Sequence, residues 1–283
     1  MVTTYILLVG FTLSVLYPLI FVLSASVSSG DALSSGEVRL WPVGFNGGAY
    51  QAILDSPQLV RGFLNSVLYT VGGATIGTGL TLLAGYAMSR DDLPFRRWVM
   101  FFFLIPTLFS AGIIPTYMIV NSLGLLDSVW AVLLPGAMNV FNMIITMTFY
   151  RMSVPKEMLE ATQVDGATDF TFFFKIALPL SKPIIAVNLL FYGIAQWNSW
   201  FNALLYLSNA DLFPLQLVLR EILTQSEVNP ADIGGNVAEL LRRKELFDKL
   251  KYALIVVAMI PPMIAYPFVQ KHFVKGALIG SLK

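Results

Sequence analysis

The side chains that most often carry out covalent chemistry are almost absent from this sequence of 283 residues. It contains no cysteine, which excludes thiolate nucleophiles, disulfides and cysteine-ligated metals. His272 is the only histidine, so the chain alone holds no metal site built from several histidines. These absences argue against an enzyme, and we expect no cofactor in this chain.

The most informative spacing lies in residues 151–182, which read RMSVPKEMLEATQVDGATDFTFFFKIALPLSK. Pro155 suits the first turn of a helix, since its missing N–H would be unpaired there in any case. Glu157 and Glu160 also indicate that a helix begins here, because negative charge is stabilised at a helix N-terminus. The pattern predicts a helix over the first part of this connection.

A break and a second helix follow. Asp165-Gly166 predicts the end of the first helix, because glycine adopts the left-handed conformation at no steric cost. Thr168 or Asp169 then caps a short helix that is expected to run to about Ala177. The connection therefore predicts a helix–turn–helix, which we place on the cytoplasmic face.

The segments around this connection are apolar enough to cross a membrane. Hydrophobic residues make up 56% of the chain, charged residues 12%, and the mean hydropathy is +0.71. About 20 apolar residues are needed to cross about 30 Å of hydrocarbon. Six windows of 18 residues or more lack Asp, Glu, Lys and Arg. They predict an all-α membrane protein with one domain over residues 1-283 and spans at about 3-27, 63-88, 98-120, 129-150, 184-206 and 252-271.

Residues 1–28 have an alternative interpretation as a secretory signal peptide. A signal peptide has a basic N-terminal region, and Met1 to Tyr5 carries no Lys or Arg. We therefore favour a first span. Residues 28–61, with clusters of Gly, Ser and Pro, predict an irregular outer loop.

Basic residues predict the orientation, because cytoplasmic loops carry an excess of Lys and Arg. Ten of the 18 basic residues lie in the even-numbered connections and the tail: Arg90, Arg96, Arg97, Arg151, Lys156, Lys175, Lys182, Lys271, Lys275 and Lys283. The first and third connections carry only Arg39 and Arg61. The long fifth connection, with six basic residues, weakens the contrast. We expect a multi-pass membrane protein with both termini in the cytoplasm.

The charge-free windows also bear on the energy source. Ion-coupled transporters usually carry ionisable residues within their spans, and this chain has none near a span centre. It also lacks the G-x-x-x-x-G-K-[ST] phosphate loop, so ATP would bind to another subunit. An ion-coupled secondary transporter, with the ion held by backbone carbonyls, remains the alternative. The net charge of +1 implies no nucleic acid.

The connection at 151-182 resembles the EAA loop of ABC importer permeases. The matching positions are Glu160, Ala161, Gly166, Ile176, Leu178 and Pro179, with Asp165 preceding the glycine. Thr162 departs from the family pattern, which has a second alanine there. In that family the loop forms a coupling helix that docks in a groove of the ATP-binding subunit. The resemblance implies this role for the residues named.

Other motifs are similar to carbohydrate importer permeases of the maltose-transporter type: Asn65-Ser66, Ile114-Pro115-Thr116-Tyr117, Leu123-Gly124-Leu125-Leu126-Asp127, Trp130 to Gly136, and Trp197-Asn198. The tail at 270–276 resembles the branch that handles aldouronates, lipo-oligosaccharides and other complex sugars. The resemblance implies a carbohydrate substrate and a second, homologous permease. It also implies two ATP-binding cassette ATPase subunits, with ATP and Mg on them, and an extracytoplasmic solute-binding protein.

Sugars are bound by aromatic faces and by amides that hydrogen-bond hydroxyl groups. Polar amides are costly in lipid and should face a partner helix or a cavity. An interfacial aromatic belt is the alternative for the tryptophans. The candidate substrate-path residues are Asn139, Asn142, Tyr192, Gln196, Trp197, Asn198 and Trp200.

Overall fold

The computed structural model describes residues 2–225 and 250–267. It confirms the predicted all-α membrane architecture, since helices joined by short connections make up this part of the chain and no strand occurs in it. These residues form two compact units. The first contains residues 2–65, 213–225 and 250–263, and the second contains residues 66–212 and 264–267.

Within the residues that the structure describes, three continuous helices are long and apolar enough to cross a membrane: α1 (Val2–Ser26), α4 (Pro57–Ser89) and α15 (Leu250–Pro267). They correspond to the first, second and sixth predicted spans. Residues 268–271 of the sixth span, and the tail motif at 270–276, lie outside the described residues.

The predicted span at 98–120 is not one helix. It consists of α5 (Arg96–Leu108) and α6 (Ile113–Ser122), which meet at 117°. Gly112, at the break, has φ of 82°, a value that side chains with a Cβ rarely adopt. The apolar window was continuous, but α5 ends at Leu108 because the backbone at Phe109 is extended, and Gly112 then precedes the first residue of α6.

The predicted span at 129–150 is divided in the same way into α7 (Val129–Leu133) and α8 (Val140–Ser153). Gly136 lies between them with φ of 77°. Asn139 then restarts the helix, because its Oδ1 accepts the N–H of Phe141 at 2.8 Å.

The predicted span at 184–206 contains α12 (Lys182–Trp197) and the short α13 (Phe201–Tyr206). The N–H of Asn198 bonds to the carbonyl of Ile194 and closes the last turn of α12. A 3₁₀ turn at Ala210–Leu212 follows α13.

In the first unit, the predicted irregular loop at 28–61 contains two helices, α2 (Gly30–Ser34) and α3 (Gly48–Asp55), before α4 begins. Ser24 Oγ donates to the carbonyl of Leu40 at 2.7 Å, which holds the loop against the end of α1. The unit also contains α14 (Leu215–Gln225), and the side chain of Asn65 donates to the carbonyl of Phe213.

In the second unit, glycines on α4 allow other elements to approach closely. A Cβ on Gly77 would lie 2.7 Å from the carbonyl oxygen of Ala137, and one on Gly85 would lie 2.7 Å from Cγ2 of Thr146. Real Cβ atoms essentially never come so near. The glycines therefore set the spacing between α4 and α8, and this packed pair supports the loop that follows α8.

Candidate functional site

The first half of the candidate site is a helix with an exposed end. α9 (Lys156–Val164) begins after its N-cap residue Pro155 and is followed by its C-cap residue Asp165. Gly166 has φ of 80°, in the left-handed region that favours glycine. Its N–H bonds to the carbonyl of Gln163 at 3.0 Å, which tightens the helix end.

The second half of the site begins at α10 (Asp169–Phe172). Oγ1 of Thr168 accepts the N–H of Thr171, so Thr168 is the cap. The helix does not end near Ala177, as the sequence had suggested. It widens into a π turn at Phe173–Ala177 and continues as α11 (Leu178–Leu180). Pro179 lies inside this continuation because the π turn changes which carbonyls need an N–H partner.

The EAA-like residues divide into an exposed set and a packed set. Glu160, Ala161, Asp165 and Gly166 are exposed, whereas Thr162 is half-buried and its Oγ1 donates to the carbonyl of Met158 at 2.6 Å. The exposed set lies where a second protein can reach it.

The packed set holds the loop to its own unit. Ile176 and Leu178 pack against a buried cluster, while Pro179 is exposed. The cluster consists of Leu82, Tyr150, Phe172, Phe173, Ala177 and Ile184. It anchors the second half of the loop by burial of apolar surface.

Two large apolar side chains stand out at the tip of the loop. Val164 is 87% exposed and Phe170 is 75% exposed. We expect this connection to lie in water, where exposed apolar side chains beside polar residues are typical of protein interaction sites.

Charged residues join this loop to the connection after α4. Arg90 donates to both carboxylate oxygens of Asp92, at 2.9 and 2.7 Å, and lies 3.7 Å from Oδ1 of Asp169 in α10. Oδ1 of Asp169 also accepts a hydrogen bond from Gln163 in α9 at 3.3 Å. The Arg90 hydrogen bond lowers the pKa of the Asp92 carboxyl.

Asp91 forms a second link. It pairs with Lys156 at the start of α9, with Arg96 at 3.2 Å and with Arg151 at 3.6 Å. Hydrogen bonding to Lys156 is the main cause that lowers the pKa of the Asp91 carboxyl. Sequence reasoning counted these cations only as an orientation signal. The one local signal that was not used is the Arg90-Asp91-Asp92 triplet directly after an apolar window, which shows charges at this point without showing their partners.

A cavity of about 550 Å³ opens between α9 and the connection after α4. Its walls include Arg90, Asp91, Tyr150, Lys156 and Glu160. Both positive and negative charges line it, so the cavity favours neither anions nor cations. No group of three His, Asp or Glu side chains able to hold a metal occurs in residues 2–225 and 250–267.

Three of the candidate substrate-path residues lie together inside the second unit. The Tyr192 hydroxyl lies 2.6 Å from Oγ1 of Thr81 and accepts the backbone N–H of Asn139 at 2.9 Å. The side chain of Asn142 is buried, whereas Asn139 is exposed and caps α8. The geometry thus gives Tyr192 a packing role between α4 and the start of α8.

A buried amide that the sequence reasoning missed lies close by. Asn188 in α12 donates to Oγ1 of Thr146 in α8 at 2.8 Å, and both side chains are buried. The only signal for it in the sequence was an amide in an apolar window.

The other candidates lie at the end of α12. Trp197 is buried and Trp200 half-buried, while Asn198 is exposed and its side chain donates to the carbonyl of Ile194 at 2.8 Å. Gln196 lies against Gly73, where a Cβ would come within 3.1 Å of its side chain. Its Nε2 is buried and has no hydrogen-bond partner among the residues that the structure describes.

Comparisons with known proteins bear directly on this arrangement. The family model described as "Binding-protein-dependent transport system inner membrane component" matches residues 77–278. The polygalacturonan/rhamnogalacturonan transport system permease protein YtcP of Bacillus subtilis (strain 168) is 40% identical over 280 residues, covering 99% of this chain and 96% of YtcP. Protein LplC of the same organism is 36% identical over 266 residues, covering 94% of this chain and 88% of LplC.

A solved structure is similar over nearly its whole length. It is the crystal structure of a bacterial ABC transporter involved in the import of the acidic polysaccharide alginate. The matched chain has a TM-score of 0.87 and 33% sequence identity, and the match covers 96% of this chain and 95% of that one.

Proposed function

Because the chain belongs to the family of binding-protein-dependent transport system inner membrane components, we propose that it is the permease subunit of an ATP-driven ABC importer for acidic oligosaccharides or polysaccharides. Family members work with other membrane, ATPase and binding-protein components. For this chain we propose a second, homologous permease, two ATP-binding subunits that carry ATP and Mg, and an extracytoplasmic solute-binding protein.

The exposed helix–turn–helix at 151–182 is the observation that carries the proposal. Val164 and Phe170 offer apolar contact at the tip, and Gly166 gives the turn a shape that other residues adopt only with strain. Glu160 is exposed on the same helix and is available to a basic residue of an ATPase subunit. ATP-driven movement of that subunit would then reach the spans through this loop. The proposal places both termini in the cytoplasm.

The substrate class rests on the relatives. YtcP is named for polygalacturonan and rhamnogalacturonan, and the solved structure for alginate, an acidic polysaccharide. These polymers are rich in uronic acids, so we propose a uronate-containing oligosaccharide as the substrate. The apolar windows of this chain contain no Lys or Arg. Its share of the path would therefore bind sugar hydroxyls through neutral groups.

Among the candidate path residues, exposure separates two groups. Asn139 and Asn198 are exposed, and we propose these two as the side chains nearest the path. Tyr192, Asn142 and Trp197 are buried within the chain, and we propose that they shape the path indirectly. The ion-coupled sugar transporter, the alternative from the sequence, gains no support from any of the relatives.

Native mass spectrometry of the tagged chain, extracted gently from its own cells, tests the assembly. We expect one copy with a second permease and two ATP-binding subunits. The chain found alone, or only as a homo-oligomer, would contradict the proposal.

Uptake into membrane vesicles tests the substrate. We expect ATP-dependent uptake of oligogalacturonate that exceeds uptake of a neutral arabino-oligosaccharide of equal length. Equal uptake of both would remove the acidic substrate class and leave the importer assignment intact.

A further inference from the structure

We infer that Arg90 and Asp91 are positioning residues for ATP coupling, with Arg90 as the fixed anchor of the coupling loop and Asp91 as a latch that opens and closes during transport. The inference rests on the proposed function, because it assigns a route by which the loop moves the spans. Both residues follow α4 directly, more than 60 positions before the loop residues they contact.

The Arg90 contacts have the character of an anchor. Its side chain is only 16% exposed and donates two parallel hydrogen bonds to Asp92. A third donor contact reaches the Tyr86 hydroxyl at 3.3 Å, and the guanidinium faces Asp169 at the start of α10. A planar, bidentate guanidinium pair is geometrically specific, so it fixes the Arg90 guanidinium itself, which then presents a positive charge 3.7 Å from Oδ1 of Asp169 in the second half of the loop.

The Asp91 contacts have the character of a latch. The Asp91 side chain is 51% exposed and that of Lys156 is 71% exposed. Ion pairs in such settings contribute little individually, because water screens them and ordering two side chains costs entropy. Asp91 also faces Arg96 and Arg151, so it keeps cationic neighbours when Lys156 moves away. The first half of the loop can therefore detach and reattach at low cost.

The base of the latch is firmly held. Arg96 Nε donates to the carbonyl of Met88 in the last turn of α4 at 2.9 Å, which satisfies a carbonyl that the helix itself leaves unpaired. α4 in turn packs against α8 at Gly85 with no space for a side chain. While Asp91 and Lys156 are paired, displacement of α9 is thereby passed to this packed pair of helices.

The cavity of about 550 Å³ lies beside the latch. Glu160 and Lys156 of α9 line it, opposite Arg90 and Asp91. A helix that faces open space can tilt without displacing a packed core. The cavity therefore gives α9 room to move, while α10 remains held by Arg90 and by the buried cluster of Phe172 and Phe173.

The test is a double-mutant cycle in the complete complex, reconstituted in vesicles, with ATP hydrolysed per sugar imported as the measured ratio. We expect Asp91→Asn and Lys156→Gln each to raise this ratio by about threefold, the size typical of a partly exposed ion pair. The double variant should show the same threefold rise, because both changes remove one interaction. Arg97→Gln, which alters a nearby exposed cation in the first turn of α5, is the matched control and should leave the ratio unchanged.

A charge exchange adds a rescue that a merely structural role would not show. Asp91→Lys should uncouple transport from hydrolysis, and adding Lys156→Asp should restore part of the coupling. Arg90→Gln should instead lower the amount of assembled complex, since it frees the anchored half of the loop. An unchanged ratio in Asp91→Asn and Lys156→Gln, with assembly intact, would overturn the inference. Failure of the unaltered chain to assemble with ATP-binding subunits would overturn the proposed function instead.

Discussion

Polar side chains are handled in opposite ways in the interior of the second unit and at its loop end. In the interior, Asn188 donates to Thr146 at 2.8 Å and Tyr192 lies 2.6 Å from Thr81, all of them buried. At the loop end, the half-exposed Asp91 is shared among three cations. The difference shows that access to water decides whether a polar group keeps one hydrogen-bond or ion-pair partner or can exchange it.

The physical basis is the alternative available to each group. An amide in an apolar interior has no water that could replace its hydrogen-bond partner. Breaking that hydrogen bond leaves an unsatisfied group at a cost of about 1–3 kcal/mol. A carboxylate at the aqueous end exchanges a lysine for water at little cost. The interior can therefore hold the helices in place, while the loop end can change partners.

The largest effect is expected where the interior packing has no space. Gly85→Leu places a side chain where Cβ alone would lie 2.7 Å from Thr146, so it should destabilise the unit by about 3 kcal/mol or more. Thermal unfolding of the purified chain in detergent measures this. Gly79→Leu is the matched control, because Gly79 on the same helix has nothing within 4 Å of such a Cβ. Equal loss from both would show that the glycine spacing does not hold the interior together.

The next effect tests the tip of the loop. Gly166→Val forces a β-branched residue to φ near 80°, at a cost of about 1–3 kcal/mol. We expect coupled transport to fall severely, while unfolding of the interior changes little because Gly166 is exposed. Gly166→Asn should be tolerated, since asparagine adopts this conformation more readily. If valine and asparagine behaved alike in an uptake assay, the shape of the turn would not matter.

A smaller effect sharpens the interior side of the comparison. A double-mutant cycle of Asn188→Leu and Thr146→Val should give a coupling energy of about 0.6 kcal/mol, within the range for polar pairs between membrane helices. Thermal unfolding of the four proteins provides the measurement. A coupling energy of zero would mean that the pair contributes nothing beyond packing.

The smallest effect concerns pH and salt at the loop end. The pKa of Asp91 is lowered, so its contribution is fully present above the unfolded value of about 3.9 and is lost as pH falls through the lowered folded value. We therefore expect the ratio of ATP to sugar to be the same at pH 8 and pH 5.5.

Raising the salt from about 0.1 M to about 1 M should raise the ratio of ATP hydrolysed to sugar imported, because exposed ion pairs are screened. The Asp91→Asn variant should lose this response of the ratio to salt. If the variant kept the response, the salt would be acting on ion pairs other than those of Asp91.

The sequence predicted those features that depend on composition along the chain. Charge-free windows located α1 and α4, and Asp165-Gly166 located the turn of the loop. The windows did not show that Gly112 and Gly136 interrupt two of the spans, because hydropathy measures how apolar a segment is and not whether its backbone is continuous.

Much of the candidate site was beyond sequence reasoning for a different reason. Asp91 and Lys156 are 65 positions apart, and nothing in either local pattern says that they meet. The pairing of Asn188 with Thr146 was likewise invisible, since it depends on which faces of α8 and α12 touch. Long-range pairing of this kind follows from packing.

Because of the π turn at Phe173–Ala177, the number of residues in the EAA-like motif decides which way its later side chains face. The N–H of Leu178 bonds to the carbonyl of Phe173, five positions back, so this turn contains one residue more than an α turn. Phe172 and Phe173 are both buried here, whereas Phe174 is exposed. Deletion of a single residue would rotate everything beyond it by about 100° and turn Ile176 and Leu178 away from their cluster. The nine residues between Gly166 and Ile176 thus set the rotation of the helix beyond them. We therefore expect the motif to tolerate a change of side chain far better than a change of length.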